Sequence, residues 1–333
     1  MEEFLRMLLQ VNLLLQQLPG WIISLFHMIT NLGSEMFFLL FMPFLYWCVS
    51  SVIGLRTGAM LVFSTATVNA AKMIFQTPRP YWLDTRVVKY VEETSFGVPS
   101  GHSAIAASIW GVLAASIKRK WVTILFIVLI FLIGVSRLVM GAHFLIDVLT
   151  GWLLGGLLLW VFLRFEAPVV AWFDRLVLRQ QVTVALISSI LMILPTMTLA
   201  WLLRDWVLPE AWQITAGHTL DPLSVSGTFT VAGTWGGFLT GHAWLRQRFG
   251  QYNTEGTLLK RLIRFPLGII VLLVIWAGLD HVFPDTVDTL GLVLRYVRYF
   301  AVGYWVSAGA PLFFRWIKLA RIDPFQPDTR PIA

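Results

Sequence analysis

Three short clusters of polar residues, which include charged and imidazole side chains, interrupt this apolar sequence, each at the end of a long apolar run. The three clusters span residues 72–80, 99–102 and 136–147. Lys, Arg or Asp costs about 2.5–3.5 kcal/mol at the centre of a bilayer on insertion scales, so such groups are rarely left scattered along apolar segments. We therefore predict that the three clusters assemble into one anion-binding site.

In the first cluster, Lys72 and Arg79 are seven residues apart. Seven residues make almost two helical turns, so both side chains can face the same way. Pro78 and Pro80 end the helix and restrict the path by which the chain leaves it. Taken alone, these residues leave open whether the two cations bind a ligand or extend toward lipid headgroups.

The second cluster reads Pro99-Ser100-Gly101-His102 and predicts the start of a helix. The free N–H groups and the dipole at such a start attract anions, and Gly101 lets an oxyanion approach the backbone closely. His102 would stand in the first turn beside the anion. Taken alone, an ordinary N-cap followed by an interfacial histidine is the commoner arrangement.

In the third cluster, Asp147 follows His143 by four residues, on the same helical face. The carboxylate can accept the Nδ1–H of the imidazole, which leaves Nε2 free as a nucleophile. A His–Asp pair that only satisfies itself inside a bundle is the alternative, but it leaves Arg137 unexplained. Together, the three clusters have a composition that suits a phosphate ester.

These clusters resemble the three-part signature of the type 2 phosphatidic acid phosphatase (PAP2) superfamily, which also contains vanadium haloperoxidases and bacterial acid phosphatases. The signature reads Lys-x6-Arg-Pro, Pro-Ser-Gly-His and Ser-Arg-x5-His-x3-Asp, and no position departs from it. The resemblance covers about residues 36–163. A looser likeness to glucose-6-phosphatases and sphingosine-phosphate phosphatases rests on Arg79-Pro80-Tyr81-Trp82 and on residues 93–98, and it bears on architecture more than on substrate.

The resemblance implies a role for each site residue. His143 would attack phosphorus and form a phosphohistidine, Asp147 would orient it, and His102 would protonate the leaving oxygen and then activate water. The groups expected to hold the phosphate oxygens are Lys72, Arg79, Ser100, Gly101 and Arg137. No metal or other cofactor is expected, because these motifs contain no carboxylate-rich magnesium site and no dense His/Cys zinc site.

The composition predicts an integral membrane protein, because only 13% of the 333 residues are charged, 57% are hydrophobic and the mean hydropathy is +0.75. A membrane-spanning helix needs about 20 apolar residues. We predict an all-α, polytopic transmembrane bundle of about nine spans, with a PAP2/haloperoxidase-like core. The predicted spans are 36–54, 57–76, 101–117, 121–140, 142–163, 182–203, 223–244, 265–283 and 293–314.

These spans divide the chain into three predicted segments: N-terminal interfacial helices (1–35), a catalytic core (36–163) and additional transmembrane helices (164–333). The sequence begins Met-Glu-Glu without a basic region, which argues against a cleaved signal peptide. Apolar residues near the N-terminus predict an amphipathic helix at the lipid interface: Phe4, Leu5, Leu8 and Leu9. Residues 20–31 predict a second interfacial or re-entrant piece, and Gly141 predicts a turn.

Nine spans place 16 of the 25 Lys and Arg residues on one side of the membrane, which is then cytoplasmic. The C-terminus would lie on that side, and all three clusters would face outside. Lys260, Arg261 and Arg264 are predicted to anchor the inner leaflet. The net charge of +7 does not indicate nucleic acid, because no basic stripe stands on a soluble domain.

Further polar residues lie in or near the predicted outer loops, and two interpretations of them stay open. A solvated loop residue, or for the last four a helix cap, is the commoner one. The other is a gate or headgroup-selecting surface for the first four residues and a lining of the substrate pocket for the last four. The residues are Arg86, Lys89, Glu92, Glu93, His218, Asp221, Asp280 and His281.

The leading functional prediction is a metal-independent phosphatase that acts at the outer membrane face on a lipid phosphate, either a monoester or a pyrophosphate. Its expected partners are that substrate and membrane lipids, with no nucleic acid and no predicted oligomeric state. The alternatives are a sugar-phosphate phosphatase, a vanadium haloperoxidase and a non-catalytic lipid-phosphate transporter or binding protein. His102, His143 and Asp147 argue against the last, because binding alone needs only the cations.

Overall fold

The structure, a computed structural model, describes residues 2–284, 286 and 288–324. The Phe4 side chain, which the N-terminal prediction included, lies outside this description. The described chain is almost entirely α-helical, which confirms the predicted fold class. Its strands are β1 (Gln251–Asn253) and β2 (Arg321–Asp323), which pair antiparallel.

Fourteen α-helices follow one another in the described residues, and two of them are extended by a π-helical turn, at Leu45–Val49 and Trp305–Gly309. The helices are α1 (Glu2–Leu15), α2 (Gly20–Asn31), α3 (Glu35–Phe44), α4 (Ser51–Phe75), α5 (Pro80–Leu83), α6 (Gly101–Ile117), α7 (Lys120–Val139), α8 (Leu145–Asp174), α9 (Leu178–Leu202), α10 (Glu210–Ala216), α11 (Ser226–Arg248), α12 (Leu258–Val282), α13 (Thr289–Tyr304) and α14 (Ala310–Trp316).

Within the described chain, five helical stretches are long and apolar enough to cross a membrane. They are Ser51–Leu83, Lys120–Val139, Leu145–Asp174, Leu178–Leu202 and Leu258–Val282. The bent pair Met7–Leu15 and Gly20–Asn31, with 108° between its helices, would be a sixth. Each of the nine predicted spans overlaps a helix, but the count of nine stays a prediction, as do the three sequence segments.

Large apolar side chains are exposed along the long helices, as expected where lipid is the solvent. On α9 the exposed fractions are 53% for Ile190 and 55% for Leu191, and on α12 they are 50% for Leu273 and 66% for Val274. A water-soluble protein rarely leaves such continuous apolar surface uncovered. The chain is therefore an integral membrane protein.

The helices group into two compact units, each assembled from separate stretches of chain. The first unit contains the described residues up to Leu39, then Thr57–Ala167 and Met192–Thr228. The second contains Leu40–Arg56, Pro168–Leu191 and the described residues from Phe229 onward. All three polar clusters fall within the first unit.

Helix α1 packs into the first unit through its apolar face. Leu5 and Leu9 are buried in a cluster with Tyr81, Trp82 and Phe144. The prediction of an amphipathic helix is therefore right about the helix but wrong about these two side chains, which contact protein instead of lipid. An apolar helical face does not show by itself whether it contacts lipid or the interior of the protein.

A short turn joins α7 to α8 and lies in the middle of the third cluster. Gly141 adopts the left-handed conformation there (φ +70°), which confirms the predicted turn. Asn12 of α1 holds the turn from outside, since its Nδ2 donates to Leu138 O at 2.9 Å and to His143 O at 3.0 Å.

Two glycines on α8 let this helix approach α6 closely. A Cβ on Gly151 would lie 2.6 Å from Ser100 O and 2.8 Å from Ser103 Cβ, and a Cβ on Gly155 would clash with Ala104 O. The four-residue spacing matches the small-residue motif of packed membrane helices. The start of α6 is thereby held against the first turns of α8.

The substitution Gly151→Ala is expected to destabilise the protein, because overpacking a well-filled contact costs about 1–3 kcal/mol. Gly156→Ala is the matched control, since a Cβ there meets nothing within 4 Å. Thermal unfolding of the purified variants should show a lower midpoint for Gly151→Ala only. Equal midpoints for both variants would contradict the packing described here.

The second unit contains a buried cation that the sequence analysis assigned to the membrane surface. Arg264 is fully buried, and its guanidinium donates to backbone carbonyls, among them Thr254 O at 2.7 Å, Glu255 O at 2.7 Å and Leu319 O at 2.7 Å. The prediction of inner-leaflet anchoring is therefore wrong for Arg264. Its carbonyl partners belong to chain segments far apart in sequence, which sequence spacing could not bring together.

Candidate active site

His143 and Asp147 meet at the start of α8. His143 Nδ1 lies 3.1 Å from Asp147 Oδ2, and the same oxygen accepts a hydrogen bond from Phe144 N–H at 2.9 Å. Both side chains are buried. Because Asp147 Oδ2 can only accept when the carboxylate is ionised, the imidazole proton is assigned to Nδ1. The lone pair of His143 then lies on Nε2.

Arg79 lies on the Nε2 side of this imidazole and is fully buried. Its Nη1 is 3.1 Å from His143 Nε2 and donates to Ala142 O at 3.0 Å. On its other side, Nε donates to Ser95 O at 2.6 Å and Nη2 donates to Phe96 O at 3.2 Å. Arg79 therefore joins the first cluster to the third and presents a donor to the free lone pair of His143.

Lys72, in the last turn of α4, reaches the same loop as Arg79. Its Nζ donates to Ser95 Oγ at 2.7 Å, and that oxygen also accepts from Arg79 Nη2 at 3.1 Å. The two cations of the first cluster thus share one hydroxyl, but not through a common helical face as predicted, because α4 ends at Phe75 and Arg79 is the N-cap of α5.

Arg137, from the last turn of α7, joins the site through a carboxylate. Its Nη2 is 2.5 Å from Glu93 Oε1, while Nη1 donates to Thr30 Oγ1 at 2.9 Å. The other oxygen of Glu93 is 3.5 Å from Arg79 Nη2. One carboxylate therefore bridges the two arginines that the sequence analysis assigns to phosphate.

The second cluster begins α6 as predicted. Ser100 is the N-cap, and its Oγ accepts from Ser103 N–H at 3.4 Å and from Ser103 Oγ at 3.0 Å. Its own N–H donates to Asp147 O at 2.9 Å, which links the start of α6 to the first turn of α8. Gly101 is the first helical residue.

His102 lies in the first turn of α6 and is half-buried. The charges of Arg137, Glu93 and Lys72 act on its imidazole, and the two imidazoles of His102 and His143 also interact electrostatically. The structure therefore brings residues from all three clusters into one neighbourhood within the first unit.

Several residues at this site lie outside the three-part signature, although Tyr81, Glu93 and Ser95 belong to the segments of the looser likeness. Ser95 and Thr30 orient the cations, and Glu93 pairs with both arginines. Tyr81 and His218 hold the Glu93 backbone: Tyr81 Oη accepts from Glu93 N–H at 2.9 Å, and His218 Nε2 is 3.4 Å from Glu93 O. Of these, Glu93 had an open interpretation as a gating or headgroup-selecting residue, and His218 had one as a residue that lines the substrate pocket. One indication was available for each residue: Glu93 lies in the segment that precedes Pro99, and His218 lies in a predicted outer loop.

The Glu93 carboxylate stays ionised in this position. Its burial favours the neutral form, but the charges of Arg79, Arg137 and Lys72 together outweigh that effect and hold the pKa of Glu93 below its usual range. The site therefore combines three cations with a carboxylate that it strongly stabilises.

The described residues include no group of three or more His, Cys, Asp or Glu side chains arranged to hold a metal ion. What the site offers is an imidazole nitrogen with a free lone pair, a second imidazole nearby, three cations and a helix start. This set can hold a tetrahedral oxyanion and attack its central atom.

Known proteins that resemble the chain match it over part of its length. A probable sphingosine-1-phosphate phosphatase of Dictyostelium discoideum is 29% identical over 143 residues, which is 38% of this chain and 34% of that protein. Phosphatidylglycerophosphatase B of Bacillus subtilis is 39% identical over 88 residues, which is 24% of this chain and 43% of that protein. The matches thus span between a third and a half of the length of these curated relatives.

Among solved structures, a transmembrane PAP2-type phosphatidylglycerolphosphate phosphatase from Bacillus subtilis aligns with 51% of this chain and 89% of its own. The TM-score is 0.44 and the sequence identity is 24%.

Two protein-family models match the chain, each in a separate region. The one described as the PAP2 superfamily matches residues 53–171, which contain all three polar clusters. The one described as a transmembrane extension of PAP2 superfamily phosphatases matches residues 229–322. Together these regions make up more than half of the sequence, and with the motif residues gathered at one site they show that the chain belongs to the PAP2 superfamily.

Proposed function

We propose that this protein is a metal-independent phosphatase that hydrolyses a phosphate monoester or diphosphate, in particular of a lipid, through a phosphohistidine intermediate. The observation that carries the proposal is the orientation of His143. Its Nδ1 is held by Asp147 while its Nε2 is directed at Arg79, one of the cations that would hold the substrate phosphate.

In the first step, the Nε2 lone pair of His143 attacks phosphorus in line with the leaving oxygen. The P–N bond forms as the P–O bond to the leaving group breaks, and His102 gives a proton to the departing oxygen. Asp147 stabilises the positive charge that then spreads over the His143 ring, because its Oδ2 already contacts Nδ1.

In the second step, His102 takes a proton from water, and the resulting hydroxide attacks the phosphohistidine. The P–N bond breaks, inorganic phosphate leaves and the His143 ring returns to its neutral form. The same imidazole thus serves as acid in one half-reaction and as base in the other, which restores the protonation state of His102 after each turnover.

Lys72, Arg79 and Arg137 would bind the non-bridging phosphate oxygens, with the Ser100 hydroxyl and the Gly101 amide at the start of α6. Phosphoryl transfer depends mainly on positioning and on the stabilisation of negative charge, and buried cations supply both. In this scheme Arg79 shifts a hydrogen bond from His143 Nε2 to a phosphate oxygen, which frees the lone pair at the moment of binding.

A lipid phosphate is the favoured substrate class. The site residues lie at helix ends of a membrane protein, so an amphiphile could place its phosphate among them while its tail stays in lipid. The similarity to known proteins supports this class, since the relatives include sphingosine-1-phosphate phosphatases, a phosphatidylglycerophosphatase and an undecaprenyl-diphosphatase. The distribution of basic residues favours a site that faces outside and a cytoplasmic C-terminus.

The test is phosphate release by the purified protein in detergent or nanodiscs, with sphingosine-1-phosphate, phosphatidic acid, a polyprenyl diphosphate and glucose-6-phosphate as substrates. We expect release from lipid phosphates, no loss of activity with EDTA and inhibition by orthovanadate, which mimics the pentacoordinate phosphorus. Release from the sugar phosphate alone would favour the sugar-phosphatase alternative. Specific binding without release from any substrate would favour a binding or transport protein.

A further inference from the structure

Glu93 is the exposed partner in two ion pairs whose cations are buried. Its side chain is 25% exposed, whereas those of Arg79 and Arg137 are 0% and 1% exposed. One carboxylate oxygen is 2.5 Å from Arg137 Nη2 and the other is 3.5 Å from Arg79 Nη2. The two oxygens thus lie where two oxygens of a phosphate would contact the same guanidinium groups.

The backbone of Glu93 is fixed in place. Tyr81 Oη donates to Glu93 O at 3.0 Å and accepts from Glu93 N–H at 2.9 Å, and Tyr81 is itself buried. The His218 ring stacks on Tyr81 with centroids 5.9 Å apart. The carboxylate can therefore leave the arginines by rotating its own side chain, without movement of the loop.

A phosphate and the Glu93 carboxylate cannot occupy this cradle together. Both are anions that need the same donors on Arg79 and Arg137, and like charges at contact distance repel strongly in a buried site. A bound phosphate would therefore have to displace Glu93.

We propose that Glu93 is a specificity-determining residue: its carboxylate competes for the phosphate cradle, so that a dianionic terminal phosphate enters and a monoanionic phosphodiester is kept out. This inference rests on the proposed function. It concerns the substrate class of the same site, and it addresses a problem that a site in a membrane faces, because ordinary phospholipid headgroups are phosphodiesters present in large excess.

The discrimination follows from charge and from the number of free oxygens. A phosphodiester carries one negative charge and two unsubstituted oxygens, the same as the carboxylate that it would replace, so the exchange gains nothing. A monoester or terminal diphosphate brings up to two charges and three oxygens, enough to contact Lys72 as well as both arginines. Specificity of this kind arises from an element that disfavours the wrong ligand.

Glu93→Gln tests the proposal, with Glu92→Gln as the matched control. Glu92 carries the same charge one residue earlier, but it is 60% exposed and pairs with Lys89 at 2.9 Å, away from the arginines. The probes are inorganic phosphate and dimethyl phosphate, which is a monoanionic diester, used as competitive inhibitors of phosphate release. We expect Glu93→Gln to lower the inhibition constants of both by at least tenfold and to make dimethyl phosphate an effective inhibitor. Glu92→Gln should stay within twofold of the wild type.

Three results would overturn the proposal. If Glu93→Gln binds both anions more weakly, the carboxylate holds Arg137 in place while substrate is bound and does not compete with it. Tighter binding of phosphate but not of dimethyl phosphate would remove the claim of specificity. An equal effect of Glu92→Gln would assign the change to the general charge of the loop.

A second variant and a second readout keep the test independent of folding and of turnover. Glu93→Asp keeps the charge but is one methylene too short to reach both arginines from the fixed backbone, so it should shift both inhibition constants in the same direction. The rise in unfolding temperature with inorganic phosphate should also be larger in Glu93→Gln than in the wild type. This rise needs no catalysis. If the wild type shows no turnover, the proposed function is contradicted, but the competition between Glu93 and phosphate can still be measured from the unfolding temperature.

Discussion

Replacing His143 with alanine is expected to reduce phosphate release by at least about 10³-fold, the largest effect of any single substitution in this protein. In the proposed mechanism no other group can form the covalent intermediate, so the substitution removes a whole reaction path instead of weakening one interaction. The anion cradle should survive in part, because Lys72, Arg79 and Arg137 have hydrogen-bond partners other than His143. Orthovanadate should therefore still raise the unfolding temperature of the variant.

The control for His143→Ala is His27→Ala, which removes an exposed imidazole from α2 in the same unit. It should have the activity of the wild type and the same yield in the membrane fraction. Initial rates at saturating substrate, with enzyme quantified by gel filtration in detergent, provide the comparison. Residual activity of His143→Ala above about 1% of the wild type would show that a different group attacks phosphorus.

Much of the site could be predicted from the sequence because its chemistry is concentrated in short motifs. The four-residue spacing of His143 and Asp147 allows their contact, although His143 lies just before α8 and not on its face as predicted, and Ser100 caps α6 as Pro-Ser-Gly indicates. The Gly141 turn and the helices under all nine predicted spans follow from local rules of backbone conformation and hydrophobicity. These features need no knowledge of distant contacts.

The features that sequence patterns missed depend on contacts between distant residues. Glu93 is one of several charged residues in a loop, and nothing in its neighbourhood of the sequence shows that it turns inward while Glu92 stays exposed. Arg264 resembles an inner-leaflet anchor because Lys260 and Arg261 are close by, yet it binds carbonyls from three separate segments. Tertiary packing decides such cases.

Contacts between distant residues also explain why two glycines of α8 affect the geometry of the site. Gly151 and Gly155 carry no reactive group, but they allow α6 and α8 to approach until Ser100 N–H reaches Asp147 O. That backbone hydrogen bond joins the start of α6, which is proposed to bind the anion, to Asp147, which contacts His143 Nδ1. Close helix packing in the membrane therefore determines the geometry of the site as directly as the motif residues do.

Arg137→Lys is expected to lower kcat/KM by about tenfold to a hundredfold, although it keeps the charge. The guanidinium of Arg137 donates in two directions at once, from Nη1 to Thr30 Oγ1 at 2.9 Å and from Nη2 to Glu93 Oε1 at 2.5 Å. A lysine has a single nitrogen and a shorter reach, so it cannot donate at once to Thr30 and to the phosphate oxygen that would take the place of Glu93 in the proposed mechanism. One lost hydrogen bond to a charged group corresponds to about 1.5–3 kcal/mol, which gives the expected range.

The matched control for Arg137→Lys is Arg119→Lys at the opposite end of α7, where Arg119 is an exposed N-cap that uses its backbone. Steady-state kinetics with one lipid phosphate, together with the inhibition constant of orthovanadate, should change for Arg137→Lys and stay within twofold for Arg119→Lys. If Arg137 holds phosphate oxygens in the transition state, vanadate affinity and kcat/KM should fall by similar factors, because both report the same contacts. A loss of thermal stability with unaltered kinetics would instead assign Arg137 a structural role through Thr30. The substitution thus separates a cation that binds the reacting group from one that only holds the helices together.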